Sequence, residues 1–282
     1  MTRTSLAQPL LLPATGGLPV LLSIPHSGRD YPPWLLSEAR RGVSALEPLE
    51  DPWVDRLAWR AIGLGLPAVI ARTPRAAIDC NRSPDEIDPS TVSMPPGVDP
   101  GPRARGGLGL IPGRTPKDGD LWRRKLSISE LEVRKAEAWT PYHNALTQAL
   151  DSLQTRFGEV LLLDCHSMPP RAAKHPPIVI GDRHGRSAGR WLGDLARRTV
   201  EERGFKAAFN DPYAGGWIVE HHGRPAAGVH ALQLEIDRAW YLDRSLRHPG
   251  PGFARCADLL QNLARNLGEA LLGRAALPVA AE

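Results

Sequence analysis

Short apolar runs that alternate with longer helical patterns restrict this 282-residue chain to a few folds. Runs of strand length occur at residues 19–24, 68–71, 76–78, 160–163, 178–180 and 230–236. Apolar residues recur with helical spacing at residues 53–64, 129–157, 187–203 and 252–272, and Pro141 predicts a break or kink in the second of these helices. This alternation predicts an α/β fold, with a mainly parallel or mixed sheet flanked by helices on both faces.

Three of the predicted strands lead into side chains that bind metals or protons. His26 follows the run at 19–24, His166 follows the run at 160–163, and Glu235 lies near the end of the run at 230–236. The carboxyl ends of parallel strands line the ligand crevice of an open sheet, so we expect these residues to meet there. A catalytic zinc takes three protein ligands and keeps one position for water. We therefore predict a Zn²⁺ site, with His26 and His166 as ligands in turns after their strands.

A carboxylate is the expected third ligand, and Asp51 is the preferred candidate. Asp51 precedes Pro52, a pattern that is also typical of a helix N-cap followed by proline at the first helical position. Glu50 and Asp55 are the alternative ligands. Asp164 lies two residues before His166 and shares its strand face, so it is expected to orient the imidazole of that ligand.

Glu235 is predicted to be the general base that accepts a proton from the metal-bound water. Strand alternation places it on one face with Val229, Ala231, Gln233 and Asp237. The alternative is a buried glutamate that only pairs with an arginine.

Residues 72–82 carry a set of side chains suited to an anionic substrate. Arg75 and Arg82 can each grip a carboxylate through a planar guanidinium, and Asn81 can donate an amide hydrogen bond. Asp79 is expected to hold one of the arginines. The alternative is that these are ordinary surface arginines.

A second set of polar side chains lies in the glycine-flanked segment 215–225. His221 or Arg224 is predicted to contact the substrate or to stabilise the oxyanion, and His222 is a spare metal ligand.

Composition excludes several classes of protein. Apolar content of 42% is typical of a globular protein, and no apolar run approaches the length of a membrane span. The net charge of +4 arises from scattered arginines rather than a basic stripe, so no nucleic-acid partner is expected. Three distant cysteines predict neither disulfides nor a thiolate zinc site, and Cys165 is expected to be a buried thiol.

We expect one domain over residues 1–282, in a monomer or small homo-oligomer. Its N-terminal segment makes a poor signal peptide, so a cytoplasmic location is predicted. Residues 84–120 contain eight prolines and seven glycines and predict a long loop, either a mobile excursion or a wall over the site through Arg103, Arg105 or Arg114.

Taken together, these motifs resemble the N-formylglutamate amidohydrolase family. The matching segments are residues 25–28, Asp51, residues 78–82, 164–167, 221–225 and 233–235. The Asp-x-Asn-Arg element at 79–82 is also similar to that of aspartoacylases and succinylglutamate desuccinylases, which are zinc carboxypeptidase-like enzymes.

The resemblance implies a phosphorylase/hydrolase-like fold and zinc-dependent amide hydrolysis, which releases formate and glutamate from N-formylglutamate in histidine breakdown. It implies His26, His166 and Asp51 as zinc ligands, Glu235 as base, and Asn81 and Arg82 as binders of the substrate carboxylate. The chain differs from the family pattern after Arg82. This difference bears on the identity of the substrate more than on the type of reaction.

The sequence therefore predicts a zinc amidohydrolase acting on a small anionic N-acyl amino acid, with N-formyl as the expected acyl group. The alternatives are a zinc peptidase or cell-wall amidase of the same fold, or a binding protein that has lost its metal.

Overall fold

The computed structural model describes residues 3–94 and 100–275. Seven strands form one sheet, in the order β1-β3-β2-β6-β9-β7-β8, and two short strands, β4 and β5, pair separately. Within the described residues the strands are β1 (Leu10–Leu12), β2 (Val20–Ile24), β3 (Ala68–Ile70), β4 (Arg114–Thr115), β5 (Gly119–Asp120), β6 (Val160–Met168), β7 (Ile178–Gly181), β8 (Ala207–Phe209) and β9 (Val229–Asp237).

The centre of the sheet is parallel and completely buried. Strand β6 pairs in parallel with β2 on one side and with β9 on the other, and every residue of these three strands is buried. Strand β7 runs antiparallel to β9 and parallel to β8, so the sheet is mixed. Burial on both faces explains why the strands are mostly apolar along their length.

Nine α-helices and one π-helical turn are present in the part of the chain that the structure describes. They are α1 (Pro33–Glu38), α2 (Val43–Leu46), α3 (Val54–Ile62), α4 (Gly101–Arg105), α5 (Ile128–Arg134), the π-helical turn (Lys135–Trp139), α6 (Thr140–Phe157), α7 (Arg190–Glu202), α8 (Trp217–His222) and α9 (Phe253–Ala275). The four helices predicted from apolar spacing are all present. The second is divided by the five-residue π-helical turn, and Pro141 is the second residue of α6, directly after that turn.

Helix α3 forms because its apolar residues recur every three or four positions. Val54, Leu57, Ala58 and Ala61 are buried on one side of the helix. The expected alternative role of Asp51 as N-cap is wrong, because the helix begins at Val54 and Trp53 occupies the N-cap position with φ of 65°.

Two predictions of local structure are wrong. Residues 76–78 form a buried turn rather than a strand, in which the Ala77 amide donates to the Pro74 carbonyl. Burial in an apolar cluster, not strand pairing, accounts for their apolar character. In addition, His166 does not lie in a turn after its strand, because β6 continues to Met168.

The chain divides into two compact units. The larger contains β2 and β6 to β9 together with α3, α7, α8 and α9. The smaller contains α1, α2, α4 and α5 with the β4–β5 pair, and has an apolar cluster of its own.

The proline- and glycine-rich segment 84–120 belongs to the smaller unit and includes α4, β4 and β5. Residues 95–99 of this predicted loop lie outside the described residues. Four of its apolar side chains are buried in the unit's apolar cluster: Ile87, Val92, Leu110 and Ile111.

Within residues 3–94 and 100–275, no helix is both long enough and apolar enough to span a bilayer.

The turn after β2 depends on a glycine. A Cβ atom added to Gly28 would lie 2.1 Å from the Thr73 carbonyl oxygen, whereas one added to Gly17 would meet nothing within 4 Å. We expect Gly28→Ala to lower the free energy of unfolding by about 1–3 kcal/mol, because backbone must move to admit the methyl group. Gly17→Ala is the control and should change it by less than about 0.5 kcal/mol. Urea unfolding measures both, and equal values would contradict the close approach.

Candidate functional site

The turn after β2 presents His26 beside Asp51. The His26 carbonyl accepts a hydrogen bond from the Asp51 amide at 2.9 Å, and the Ser27 hydroxyl donates to the Asp51 carbonyl at 3.3 Å. These contacts hold the two segments together, so that His26 Nδ1 lies 3.2 Å from Asp51 Oδ2. Both side chains are buried, each with 2% of its surface exposed.

Asp79 fixes the other side of the His26 ring. Its Oδ1 lies 2.7 Å from His26 Nε2 and also accepts from the Asn81 amide at 2.8 Å, while Oδ2 accepts from Arg75 Nε at 2.8 Å. A carboxylate only accepts hydrogen bonds, so Nε2 carries the proton in this pair and Nδ1 is the nitrogen suited to a metal. The expected role of Asp79 in holding an arginine is present, but its contact with His26 was not anticipated.

Asp79 remains ionised although it is fully buried. Burial by itself raises the pKa of a carboxyl group, but the charges of Arg75, His26 and Arg82 outweigh burial and hold the pKa of Asp79 well below its usual value. The buried negative charge is thus compensated by three cationic or polar neighbours rather than by solvent.

His166 has a matching carboxylate. Its Nε2 lies 2.8 Å from Asp164 Oδ2, and Asp164 Oδ1 accepts from the Ser23 hydroxyl at 2.7 Å. Asp164 and His166 occupy alternate positions of β6, as their spacing indicates, and Ser23 is the partner of Asp164 on β2. The strand pair therefore sets the orientation of the His166 ring.

Glu235 lies on β9 directly opposite His166, and Gln233 lies opposite Asp164. Gln233 Nε2 donates to Glu235 Oε1 at 2.9 Å, and Gln233 Oε1 accepts from the Gly216 amide at 2.8 Å. The amide of Gly216 fixes which end of Gln233 faces Glu235, so the carboxylate receives a hydrogen bond from a side chain whose orientation is defined. Glu235 is 7% exposed.

Three side chains could hold a metal ion. One ligand atom from each of His26, Asp51 and His166 lies within 4.8 Å of the others, and all three residues are buried. Two imidazoles and one carboxylate form a donor set typical of catalytic zinc, and each imidazole has a carboxylate on its other nitrogen, so the residues fit zinc.

The alternative carboxylates, Glu50 and Asp55, have other contacts. The Tyr31 hydroxyl donates to Glu50, and burial raises the pKa of Glu50 to about 8, which favours its protonated form over metal binding. Asp55 is in the first turn of α3 and lies 3.7 Å from Arg56 Nε.

Asn81 and Arg82 follow Asp79 in a turn without regular secondary structure. Arg82 donates from Nε to the Leu108 carbonyl at 2.8 Å and from Nη1 to the Asn81 carbonyl at 2.9 Å. Burial lowers the pKa of Arg82, yet an arginine remains protonated at neutral pH. Arg75 also donates to the Leu49 carbonyl at 3.1 Å, so it supports the segment as well as carrying charge.

His221 and Arg224 lie at and just beyond the end of α8. The His221 ring stacks on Trp217 with centroids 5.1 Å apart and meets the His222 ring edge-on at 4.8 Å. Burial, and then the charge of Arg224, lower the pKa of His221, which favours a neutral imidazole that can both donate and accept. Contact of His221 or Arg224 with a substrate stays a prediction.

The cysteines are buried free thiols, as expected for Cys165. Burial raises the pKa of Cys165 far above its usual value, and the charge of Asp164 adds to the effect, so its thiolate is disfavoured as a nucleophile.

Sequence reasoning missed Ser23 and the full role of Asp79. Ser23 interrupts the apolar run of β2 next to His26, and an isolated polar residue in a buried strand is a signal that could have identified it. The contact between Asp79 and His26 joins residues 53 positions apart and has no local signature.

Replacement of Asp79 tests the buried network. We expect Asp79→Asn to lower the free energy of unfolding by about 3 kcal/mol without added metal, because it removes the fully buried counter-charge of the partly buried Arg75. Asp30→Asn is the matched control, since Asp30 pairs with Arg72 at 2.7 Å on the surface, and a loss of under about 1 kcal/mol is expected. Denaturant titration measures the free energy of unfolding of both variants. A similarly small decrease for both would contradict the claim that Asp79 holds a buried network together.

The chain is similar to known proteins over most of its length. The family model of N-formylglutamate amidohydrolase matches residues 18–242. The chain is similar to the N-formylglutamate deformylase of Pseudomonas putida, with 31% identity over 82% of this chain and 84% of that protein. It is also similar to the N-formylglutamate deformylase of Pseudomonas aeruginosa, with 30% identity over 91% of this chain and 94% of that protein.

Solved structures agree with the sequence comparison. The crystal structure of N-formylglutamate amidohydrolase from Ralstonia eutropha JMP134 superposes with a TM-score of 0.86 and 34% identity, covering 94% of this chain and 98% of that one. A protein from Agrobacterium tumefaciens with 18% identity and a TM-score of 0.68 shares the fold. The predicted α/β fold and family resemblance are both confirmed. The chain belongs to the N-formylglutamate amidohydrolase family, whose members hydrolyse amide bonds.

Proposed function

We propose that this protein is a zinc-dependent amidohydrolase that converts N-formylglutamate and water into formate and glutamate. Family membership supports the reaction, since two relatives at about 30% identity are named N-formylglutamate deformylase. The observation that carries the zinc proposal is the convergence of His26, Asp51 and His166 within 4.8 Å.

His26, Asp51 and His166 would hold the zinc ion. A bound zinc supplies a Lewis acid for the acyl carbonyl and lowers the pKa of a water molecule towards neutrality. Asp79 and Asp164 keep the imidazoles in the tautomer that presents Nδ1 to the ion. This arrangement leaves the ligand set to be completed by water or substrate, as a catalytic site requires.

Glu235 acts as the general base in this proposal. Its carboxylate accepts a proton from the attacking water, and the water oxygen forms a bond to the formyl carbon. The bond between that carbon and the amide nitrogen then breaks, and Glu235 returns the proton to the nitrogen that leaves with glutamate. The hydrogen bond from Gln233 directs the Glu235 carboxylate while this happens.

Asn81 and Arg82 bind a carboxylate of the substrate. A guanidinium and an amide donor next to each other suit a planar carboxylate, and burial strengthens such contacts because water competes less. Arg75 supports Asp79 and adds positive charge. His221 and Arg224 are further proposed substrate contacts. Two arginines in or near the site favour an acidic amino acid over a neutral one.

A panel of N-formyl, N-acetyl and N-succinyl amino acids, assayed with zinc-loaded protein, tests the proposed substrate directly. We expect N-formylglutamate to have the highest kcat/KM, at least about 100-fold above N-formylleucine, because both compounds carry an α-carboxylate but only glutamate adds a second carboxylate that Arg82 or Arg75 can pair with. A peptide and a cell-wall fragment are assayed beside the panel, and faster hydrolysis of either would assign the chain to another hydrolase activity. Absence of hydrolysis for every compound would support a binding protein.

Replacement of Glu235 tests the base. We expect Glu235→Gln to retain zinc and to lower kcat by about 100-fold or more, because the amide keeps the shape of the side chain but does not accept the proton. Glu220→Gln serves as control, since Glu220 lies on α8 and pairs with Arg183. Formate release and metal content are measured on both proteins. A wild-type rate for Glu235→Gln would remove Glu235 from this role.

A further inference from the structure

Helix α5, the π-helical turn and α6 present three donor side chains to the segment that contains the proposed substrate binders. Arg134 at the end of α5 donates from Nη1 to the Ala77 carbonyl at 3.0 Å. Trp139 at the end of the π-helical turn donates from Nε1 to the Arg82 carbonyl at 3.0 Å. His143 in the first turn of α6 contacts the Cys80 carbonyl through Nε2 at 2.9 Å.

The result is that three successive carbonyls, those of Cys80, Asn81 and Arg82, each accept a hydrogen bond from a side chain. His143 bonds to the first, Arg82 Nη1 to the second at 2.9 Å, and Trp139 to the third. Because a carbonyl only accepts, Nε2 of His143 carries a proton in this contact. A turn that belongs to no helix or strand depends on such partners, since a buried carbonyl without one is costly.

The π-helical turn explains how these donors reach one side of the helix. In a continuous α-helix, residues five positions apart point in directions about 140° apart, given 3.6 residues per turn. A π-helical hydrogen bond spans five residues, so Arg134 and Trp139 become neighbours one turn apart. His143 follows Trp139 by four residues, and the two rings are in contact at a tilt of 36°, with centroids 4.1 Å apart.

Burial makes the arrangement stiff. Arg134 is 1% exposed and His143 is 5% exposed. Arg134 also pairs with Glu38 at 2.6 Å, which anchors this helix independently of the substrate segment. The Arg82 side chain also donates from Nε to the Leu108 carbonyl at 2.8 Å.

We propose that Trp139 and His143 are positioning residues that orient Asn81 and Arg82 for the substrate carboxylate. The proposal rests on the proposed function, in which Asn81 and Arg82 bind that carboxylate. Trp139 and His143 act through the backbone of these residues and need no contact with the substrate. Loosening the carbonyl contacts therefore weakens substrate binding more than it slows the chemical step, which depends on Glu235 and the zinc ligands.

The experiment is steady-state kinetics of Trp139→Phe in the zinc-loaded, full-length protein with N-formylglutamate. Phenylalanine keeps a ring against His143 but has no N–H to donate. We expect KM to rise about tenfold while kcat changes less than about twofold, as for a displaced binding group. Trp122→Phe is the matched control, because Trp122 donates its indole N–H to the Pro112 carbonyl at 2.7 Å in the same unit. Its KM should stay within about twofold of wild type.

A double variant distinguishes a positioning effect on Arg82 from a general destabilisation of the protein. In an Arg82→Ala background, Trp139→Phe should raise KM by no more than about twofold, because the group it positions is already absent. His143→Gln retains an N–H donor and should raise KM less than His143→Leu. If both His143 variants instead lower kcat by the same factor as they raise KM, the role of His143 is structural and the proposal is overturned.

Two failures are distinguishable. If wild-type protein hydrolyses N-formylglutamate but Trp139→Phe keeps the wild-type KM, the positioning role is wrong and the proposed function stands. If zinc-loaded wild-type protein neither hydrolyses N-formylglutamate nor binds glutamate in calorimetry, the proposed function fails and the positioning role fails with it.

Discussion

The ionised carboxylate of Asp79, buried to 0% exposure, is the constraint on which the site depends. It receives hydrogen bonds from the His26 ring, the Arg75 guanidinium and the Asn81 amide. One group therefore sets the tautomer of a proposed metal ligand and the conformation of the proposed substrate segment. Both depend on a charge that is stable in the interior only because arginine and histidine compensate it. In the proposed function, binding of metal and binding of substrate are thereby coupled through the Asp79 side chain.

The parallel strands at the centre of the sheet position the remaining candidate residues, His166 and Glu235. Ser23, Asp164 and Gln233 are register neighbours on β2, β6 and β9, and His166 and Glu235 form the next pair. His166 and Glu235 are each oriented by a polar side chain two residues earlier on the same strand, Asp164 for His166 and Gln233 for Glu235. Rigid strands, rather than loops, hold the proposed base and one proposed ligand. This placement favours a preorganised site, in which little rearrangement is needed when substrate binds.

The sequence singled out His26, His166 and Glu235 as candidates, because a polar residue in or after a buried apolar run has few structural reasons to be there. The structure brings His26 and His166 close to Asp51 and places Glu235 opposite His166. The sequence did not predict the turn at residues 76–78, whose apolar side chains are buried without strand pairing. It also did not predict the contacts of Asp79 with His26 or of Trp139 and His143 with residues 80–82. These contacts join distant segments, and hydrophobic periodicity carries no information about them.

The central claim is that His26, Asp51 and His166 together bind one zinc ion. The most direct test is the zinc content of protein purified without chelator, measured by mass spectrometry for wild type, His26→Ala, His166→Ala and the control His248→Ala. The account predicts about one equivalent in wild type and control, and less than about a tenth in the two ligand variants. One equivalent in either ligand variant, or full hydrolytic activity in wild-type protein stripped of metal, would contradict it.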